Sequence, residues 1–355
     1  MDLLFKNQDL SDRLRKVKSF AKTIRSSEYH ITNACNIRCE GCWFYANEFE
    51  KRSNDNKSMD ALDGFILSER ARGVNAALLI GGEPTLFMNR IERYVEHFPY
   101  VTISTNGLVR VPQQGMESIQ VFISLFGGGP LDDSLRAIKP NGKRFTGLFE
   151  KSLKNYKNDP RVTFVYALTE SGVDYIEDTV RAIEENGNKL SFNFYSQYGT
   201  DAPLMMSKSK KLLDKALEVK KRYPDTVLST PYYIKAMITG KSHWGEFSYD
   251  SCPSISIDHP DHKERLKNGN RTLPLFNTYA PDLKTLNFCC TSGNCSGCRD
   301  SQAVFSWLLI SADKFMDTPE HIREWVELAE SYWKQHIWSP YTSDIQKPIS
   351  LTTIA

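Results

Sequence analysis

Between Tyr29 and Tyr198, short apolar runs alternate with stretches of helical periodicity, and this alternation constrains the fold more than any other feature. The spacing predicts strands at Tyr29–Thr32, Ala76–Ile80, Tyr100–Ser104, Ile119–Leu125, Val162–Leu168 and Ser191–Tyr195. Helices are predicted between them at Met59–Arg72, Asn89–His97, Phe145–Lys157 and Val173–Asn186. Strands separated by helices of that length build parallel βα units, because a parallel neighbour is reached only by a crossover. Six units fall short of the eight that close a cylinder, so the expected class is α/β, an open or partial (β/α)6 barrel. Chemistry then belongs at the C-terminal ends of the strands.

The flanking sequence differs in character. Leu10 to Arg25 carries apolar residues at helical spacing, which predicts an amphipathic helix packed on the main body. After Tyr198 the βα rhythm stops. A helix is expected at Ser207–Tyr223, then irregular sequence whose aromatics, in Pro231-Tyr-Tyr233 and Trp244–Tyr249, should line or cap the barrel mouth. Helices follow at Ser301–Ile310 and Thr318–Ile337, the second with a core stripe of Ile322, Trp325, Leu328, Ala329 and Trp333. The expected division is an N-terminal helix over 1–27, the barrel over 28–200, an extension over 201–340 and a tail over 341–355.

A net charge of only +2 over 355 residues gives no general pull toward nucleic acid, and no apolar run reaches membrane-spanning length. The first residues lack a signal-peptide pattern, so the expectation is a cytoplasmic protein. In that reducing setting the eight cysteines point to metal more than to disulfides. Cys35, Cys39 and Cys42 are spaced C-x3-C-x2-C directly after the first predicted strand; the others, Cys252, Cys289, Cys290, Cys295 and Cys298, lie some two hundred residues away. Two separate metal sites are the natural reading. Three close thiolates suit a soft metal centre such as an Fe–S cluster. Taken alone, the loop also allows structural zinc with His30 as fourth ligand, or a disulfide with one thiol left over.

Three further motifs fall at successive predicted strand ends. Gly81-Gly-Glu-Pro84 follows the second strand, Ser104-Thr-Asn-Gly107 ends the third, and Ile123-Ser-Leu-Phe-Gly127 ends the fourth, with Pro130-Leu-Asp-Asp-Ser-Leu-Arg136 beyond it. Each alone reads as an ordinary turn. In this order, and behind the cysteine loop, they resemble the radical S-adenosylmethionine (SAM) superfamily across about residues 28–200.

The resemblance implies a [4Fe–4S] cluster on Cys35, Cys39 and Cys42, with the fourth iron open to SAM. Gly81, Gly82, Glu83 and Pro84 would hold the SAM amino group. Ser104, Thr105 and Asn106 would face its ribose and methionine portions, with Ser124 beside them, and Arg136 would pair with its carboxylate. Two departures stand out. Phe126 replaces a usual aspartate, and Gly41 replaces an aromatic that stacks on adenine, a role that Trp43, Phe44 or Tyr45 could take. The implied reaction is reductive cleavage of SAM to a 5′-deoxyadenosyl radical, which removes hydrogen from an unreactive C–H bond.

For the second cysteine group the resemblance is to twitch or SPASM-like extensions. It implies an auxiliary [4Fe–4S] cluster on Cys252, Cys295, Cys298 and one of Cys289 and Cys290, with structural zinc as the alternative. The spare member of the Cys289/Cys290 pair would be a candidate catalytic hydrogen donor. The expected enzyme is an oxidoreductase that oxidises or rearranges a small molecule, with a flavodoxin- or ferredoxin-type electron donor. A redox-neutral epimerase with a cysteine donor and a peptide-modifying maturase are the alternatives.

Overall fold

The computed structural model of the protein describes residues 8–194, 210–247, 252–287, 298 and 300–337. Six strands, β1 (Ser26–His30), β2 (Ala76–Ile80), β3 (Tyr100–Thr105), β4 (Gln120–Leu125), β5 (Val162–Leu168) and β6 (Lys189–Phe194), pair in parallel in sequence order. A short hairpin, β7 (Lys241–Ser242) and β8 (Gly245–Glu246), stands apart from this sheet. β9 (Thr278–Tyr279) adds a seventh parallel strand along the outer edge of β1. The architecture is the expected α/β partial barrel, with an edge strand supplied by the extension.

Local sequence explains the strands. β2 reads Ala-Ala-Leu-Leu-Ile with no polar member, as a parallel strand covered on both faces should. In β4 the alternation separates two faces: Val121, Ile123 and Leu125 enter the main core, whereas Phe122 and Ser124 face the barrel cavity. β1 begins three residues before the expected Tyr29–Thr32, and its last hydrogen bond to β2 is donated by Ile31 to Ile80 at 2.8 Å. Beyond that bond, the chain turns away to form the cysteine loop. Tyr29 points to the core side, where its ring packs on Tyr94 at 5.0 Å and its hydroxyl donates to Glu69 at 2.8 Å. Its neighbours Glu28 and His30 consequently face the other way.

Helices begin where side chains satisfy the first backbone amides. Ser58 caps Met59–Ala71 through Ala61 N (3.1 Å), Asp300 caps Ser301–Ile310 through Ala303 N (3.1 Å), and Thr318 caps Pro319–His336 through His321 N (3.1 Å). The expected helix Phe145–Lys157 is shorter, Leu148–Asn155, and Val173–Asn186 begins with a 3-10 turn before Ile176–Glu185. Two of the longer helices were not foreseen: Gly129–Arg136, because its three leading glycines read as a loop, and Pro231–Thr239, which Thr230 caps within sequence expected to be irregular.

The final helix fixes one end of the barrel. Thr102 on β3 donates to His336 O at 2.7 Å, and the His336 ring meets Phe122 edge-on at 5.0 Å. At its outer face Glu330 takes two hydrogen bonds from Arg13 (2.9 and 2.8 Å), tying the helix Gln8–Ala21 to it. Trp244 and Phe247, expected at the barrel mouth, pack instead on Trp307. Of the named aromatics only Tyr233 reaches the cavity; Tyr232 packs on Phe315, and Ser248–Tyr249 lie outside the described residues. No helix among the described residues is long and apolar enough to cross a membrane.

Candidate active site

The cysteine loop is held from three directions. Asp55 accepts hydrogen bonds from Thr32 Oγ1 and from Asn33 N (2.9 Å). Arg38 N and Glu40 N donate to Ile138 O and Leu135 O, both at 2.7 Å. The end of β2 supplies the third anchor, with Gly82 N donating to Thr32 O and Glu83 N to Ala34 O, both at 2.8 Å. That contact explains both glycines. A Cβ on Gly82 would lie 2.1 Å from Ala34 O, and one on Gly81, whose φ is +133°, would lie 2.7 Å from Thr32 O. The pair lets the β2 end press against the cysteine loop backbone.

Cys35, Cys39 and Cys42 line one end of a cavity of about 290 Å3 inside the barrel. Burial pushes the Cys35 thiol up to about 12 and that of Cys39 up to about 11, the latter despite the Arg136 guanidinium beside it; Cys42 is also raised by burial. Bare thiolates are poorly supported here, and a soft cationic centre is what would hold them ionised. Spacing separates the metal options. Tetrahedral zinc at ~2.3 Å from each ligand would hold sulfurs under about 4 Å apart. Among the described residues, the group whose donors all lie within 4.8 Å is His243, Asp317 and His321, and the three cysteines do not form such a group. Their wider setting fits a multi-iron cluster. The His243 and His321 rings stack at 3.8 Å and 15°, so their in-plane lone pairs do not converge on one ion.

Arg136 ends the helix Gly129–Arg136 fully inside the protein. It donates to Ser124 O, pairs with Asp132 at 3.4 Å, and leaves its Nε without a partner on the cavity wall. Burial works against its charge, but Asp132 and Cys39 outweigh burial and leave its pKa above the usual value. An orphaned, buried guanidinium donor beside the thiols fits an anionic group.

The other motif residues divide by role. Ser104 and Ser124 line the cavity. Glu83 also borders it, yet its carboxylate accepts from Thr85 N (3.1 Å), Thr85 Oγ1 (2.6 Å), Thr105 Oγ1 (2.7 Å) and Asn106 N (2.8 Å). Burial raises its pKa, and those bonds pull it back. The Glu83 side chain therefore joins the β2 end to the β3 end. Thr105 is committed to that junction, and Asn106 Nδ2 donates to Asn36 in the cysteine loop at 2.7 Å. Pro84 opens the 3-10 turn Pro84–Phe87. Asp133 spends its carboxylate on Gly147 N (2.7 Å) and Leu148 N (2.9 Å), fixing the next helix. Trp43, Phe44 and Tyr45 all touch the cavity; Phe44 is otherwise core, and Arg38 sits 4.0 Å over the Tyr45 ring.

In the second cysteine group, Cys289, Cys290 and Cys295 lie outside the described residues. Cys252 is buried with its Sγ 3.1 Å from Ser254 Oγ, and Cys298 Sγ accepts from Asp300 N at 3.4 Å. Asp300 itself lines the barrel cavity, so Cys298 lies behind a residue of the cavity wall. Sequence reasoning missed Glu28 and Asp300, both on the cavity wall. A strand glutamate gives no sign of facing inward until its neighbour Tyr29 is known to face the core.

No protein-family model matches the chain. Over 151 residues it is 26% identical to a probable GTP 3′,8-cyclase from Saccharolobus solfataricus, covering 40% of this chain and 46% of that protein. The chain thus spans about half the length of the curated relative it matches. Among solved structures it resembles native anSMEcpe with bound AdoMet and the Cp18Cys peptide, with a TM-score of 0.51 and 13% identity, covering 90% of this chain and 86% of that one. A looser likeness, TM-score 0.40 and 13% identity over 95% of this chain and 84% of that one, is to the FeFe-hydrogenase maturase HydG from Carboxydothermus hydrogenoformans. A partial parallel barrel with a three-cysteine loop after its first strand defines a class of site. That fold, shared with the anSMEcpe structure, is the one that the sequence resemblance to the radical SAM superfamily implies.

Proposed function

We propose that the chain binds a [4Fe–4S] cluster through Cys35, Cys39 and Cys42, binds SAM beside it, and acts on a C–H bond of a small molecule held in the barrel. The observation that carries this reading is the sharing of one cavity by the thiols of three half-buried cysteines, the orphaned Nε of Arg136 and the strand-end hydroxyls of Ser104 and Ser124. When bound, such a cluster supplies the electron that cleaves the SAM sulfonium and so enables hydrogen abstraction.

The chain's own residues bind and orient. Arg136 offers a donor to the SAM carboxylate, backbone groups of Gly81–Pro84 meet its amino group, and Ser104 and Ser124 reach its ribose side. Thr105 and Asn106, with Glu83, keep that rim rigid through their mutual hydrogen bonds. Phe122, Phe126 and Phe192 on the wall help exclude water. We further propose an auxiliary cluster on Cys252, Cys295, Cys298 and one of Cys289 and Cys290, next to the cavity through Cys298, with a flavodoxin- or ferredoxin-type donor reducing the enzyme. Oxidation of the substrate is the favoured outcome; a spare thiol of the Cys289/Cys290 pair would make the reaction redox-neutral instead.

The test is anaerobic reconstitution of the wild type and a Cys35/Cys39/Cys42→Ala variant, with iron and sulfide counted and SAM cleavage assayed after reduction. The wild type should cleave SAM and the variant should not, while retaining about four irons. A wild type that holds zinc in place of iron at the first loop, or never cleaves SAM, refutes the proposal.

A further inference from the structure

The cavity has two walls of opposite character. Arg136 stands by β4, with Cys39 beside it; three strands away, on β1, Glu28 lines the same space with Asp300, Gln302 and Tyr233 from the C-terminal half. Glu28 is 2% exposed, and its Oε1 has no hydrogen-bond partner. His30 Nε2, also without a partner, is 3.8 Å from that oxygen, beyond hydrogen-bond length. Asp300 brings a second carboxylate to the lining of the same cavity. One of its oxygens is used in capping Ala303 N. Beside them, the Tyr233 and Phe305 rings pack at 4.6 Å and form an aromatic face of the cavity.

A buried carboxylate without a donor is costly, and a second one in the same cavity raises the cost. Glu28 Oε1 receives no hydrogen bond, and the one printed for the Asp300 carboxylate comes from the backbone amide of Ala303 on its own helix. A hydroxyl would satisfy one oxygen and leave both charges in place, whereas an ammonium supplies three donors and the compensating charge. The aromatic face is also favourable to a cation or to the carbon body that carries it.

We propose that Glu28 and Asp300 form the subsite that holds a protonated amine of the substrate, which is thus a small primary amine whose apolar or aromatic body rests on Tyr233 and Phe305. The assignment deepens the proposed function and rests on it. It turns the barrel into a cavity with a cationic wall for SAM and an anionic wall for the substrate.

The probes are phenethylamine and its neutral isostere 2-phenylethanol, titrated calorimetrically into reconstituted, SAM-loaded enzyme. Phenethylamine should bind the wild type more tightly than the alcohol. Glu28→Gln and Asp300→Asn should each weaken the amine about ten-fold or more, as expected for loss of a charged hydrogen bond, and leave the alcohol unchanged. Both variants keep side-chain size, and the asparagine keeps the helix cap. Thermal melts should place Glu28→Gln no lower than wild type, since it removes a buried charge whose Oε1 has no hydrogen-bond partner.

Equal binding of amine and alcohol, no amine binding, or an amine affinity indifferent to both substitutions overturns the assignment. Displacement of SAM by phenethylamine also overturns it, because the anionic wall would then serve the SAM ammonium. Iron counts and SAM cleavage on the same wild-type preparation separate the two levels. Their failure with amine discrimination intact removes the radical SAM reading, and the converse removes only this subsite.

Discussion

Replacing Gly82 with alanine should show that the second motif is built first to seat the cysteine loop. Its φ is not in the left-handed region, so the backbone tolerates alanine and the effect is one of space. The new methyl would sit 2.1 Å from Ala34 O and 2.6 Å from Ala34 C, both backbone atoms that cannot rotate aside. Relief needs a shift of about 1 Å between the β2 end and the loop, in an interior packed as tightly as a crystal. Such a shift stretches the 2.8 Å bonds from Gly82 N to Thr32 O and from Glu83 N to Ala34 O beyond useful length. Two hydrogen bonds at ~1 kcal/mol each plus overpacking of ~1–3 kcal/mol give a loss of about 3–5 kcal/mol. Urea unfolding of the metal-free protein should show a lower midpoint with little change in slope. Iron retained after reconstitution should fall in parallel, because the loop that carries Cys35 is displaced. Gly64→Ala is the control. It lies in the helix Met59–Ala71 with nothing within 4 Å of its added Cβ, and should stabilise by about 0.5–1 kcal/mol. A Gly82→Ala protein within about 0.5 kcal/mol of wild type and fully loaded with iron would refute the reasoning.

Other substitutions probe the same framework. Asp55→Ala removes the acceptor for Thr32 Oγ1 and Asn33 N and should cost about 1–3 kcal/mol, with faster iron loss to a chelator; unchanged chelation kinetics would show that the loop is held without it. Glu83→Gln replaces one carboxylate oxygen with an amide donor among donors from Thr85, Thr105 and Asn106. A loss of roughly 1–3 kcal/mol in urea unfolding is expected, and a neutral effect would contradict the hydrogen-bond assignment. Burial holds His336 down at about 4, against 6.5 for a free imidazole. The unfolded chain therefore binds the extra proton first, and His336 costs no stability above pH 6.5 but destabilises increasingly as pH falls toward 4. The limit is about 3 kcal/mol, less where the ring edge reaches the cavity. His336→Phe should flatten that part of the stability–pH curve, and an unchanged curve would count against it.

The sequence carried much of the barrel because its signals are local. An apolar run such as Ala76–Ile80 must be covered on both faces wherever it goes, and Val162–Leu168 was legible to the residue for the same reason. The cysteine loop was legible because three cysteines within eight residues need no long-range information. β9 was not, since a two-residue strand has no period; it exists because Thr278 and Tyr279 find the open edge of β1. The aromatics around Trp244 were misplaced because composition does not say which ring packs on Trp307 and which on the cavity.

The Gly81–Pro84 motif separates the two kinds of information most clearly. Its place after a strand and its order among the motifs were fixed by spacing along the chain. What its members touch, namely Ala34 for Gly82 and the Thr105–Asn106 turn for Glu83, depends on how two strand ends converge. The anionic wall is of the same kind. Glu28 and Asp300 are 272 positions apart in the numbering and meet across the cavity only after β1 has turned Tyr29 to the core and the C-terminal half has packed on the barrel. Sequence alone determined the βα rhythm and the thiol donor set, since both are written in neighbouring residues. Tertiary structure decided which polar groups are spent on one another and which are left to face a ligand, since burial and hydrogen-bond satisfaction belong to the packed chain.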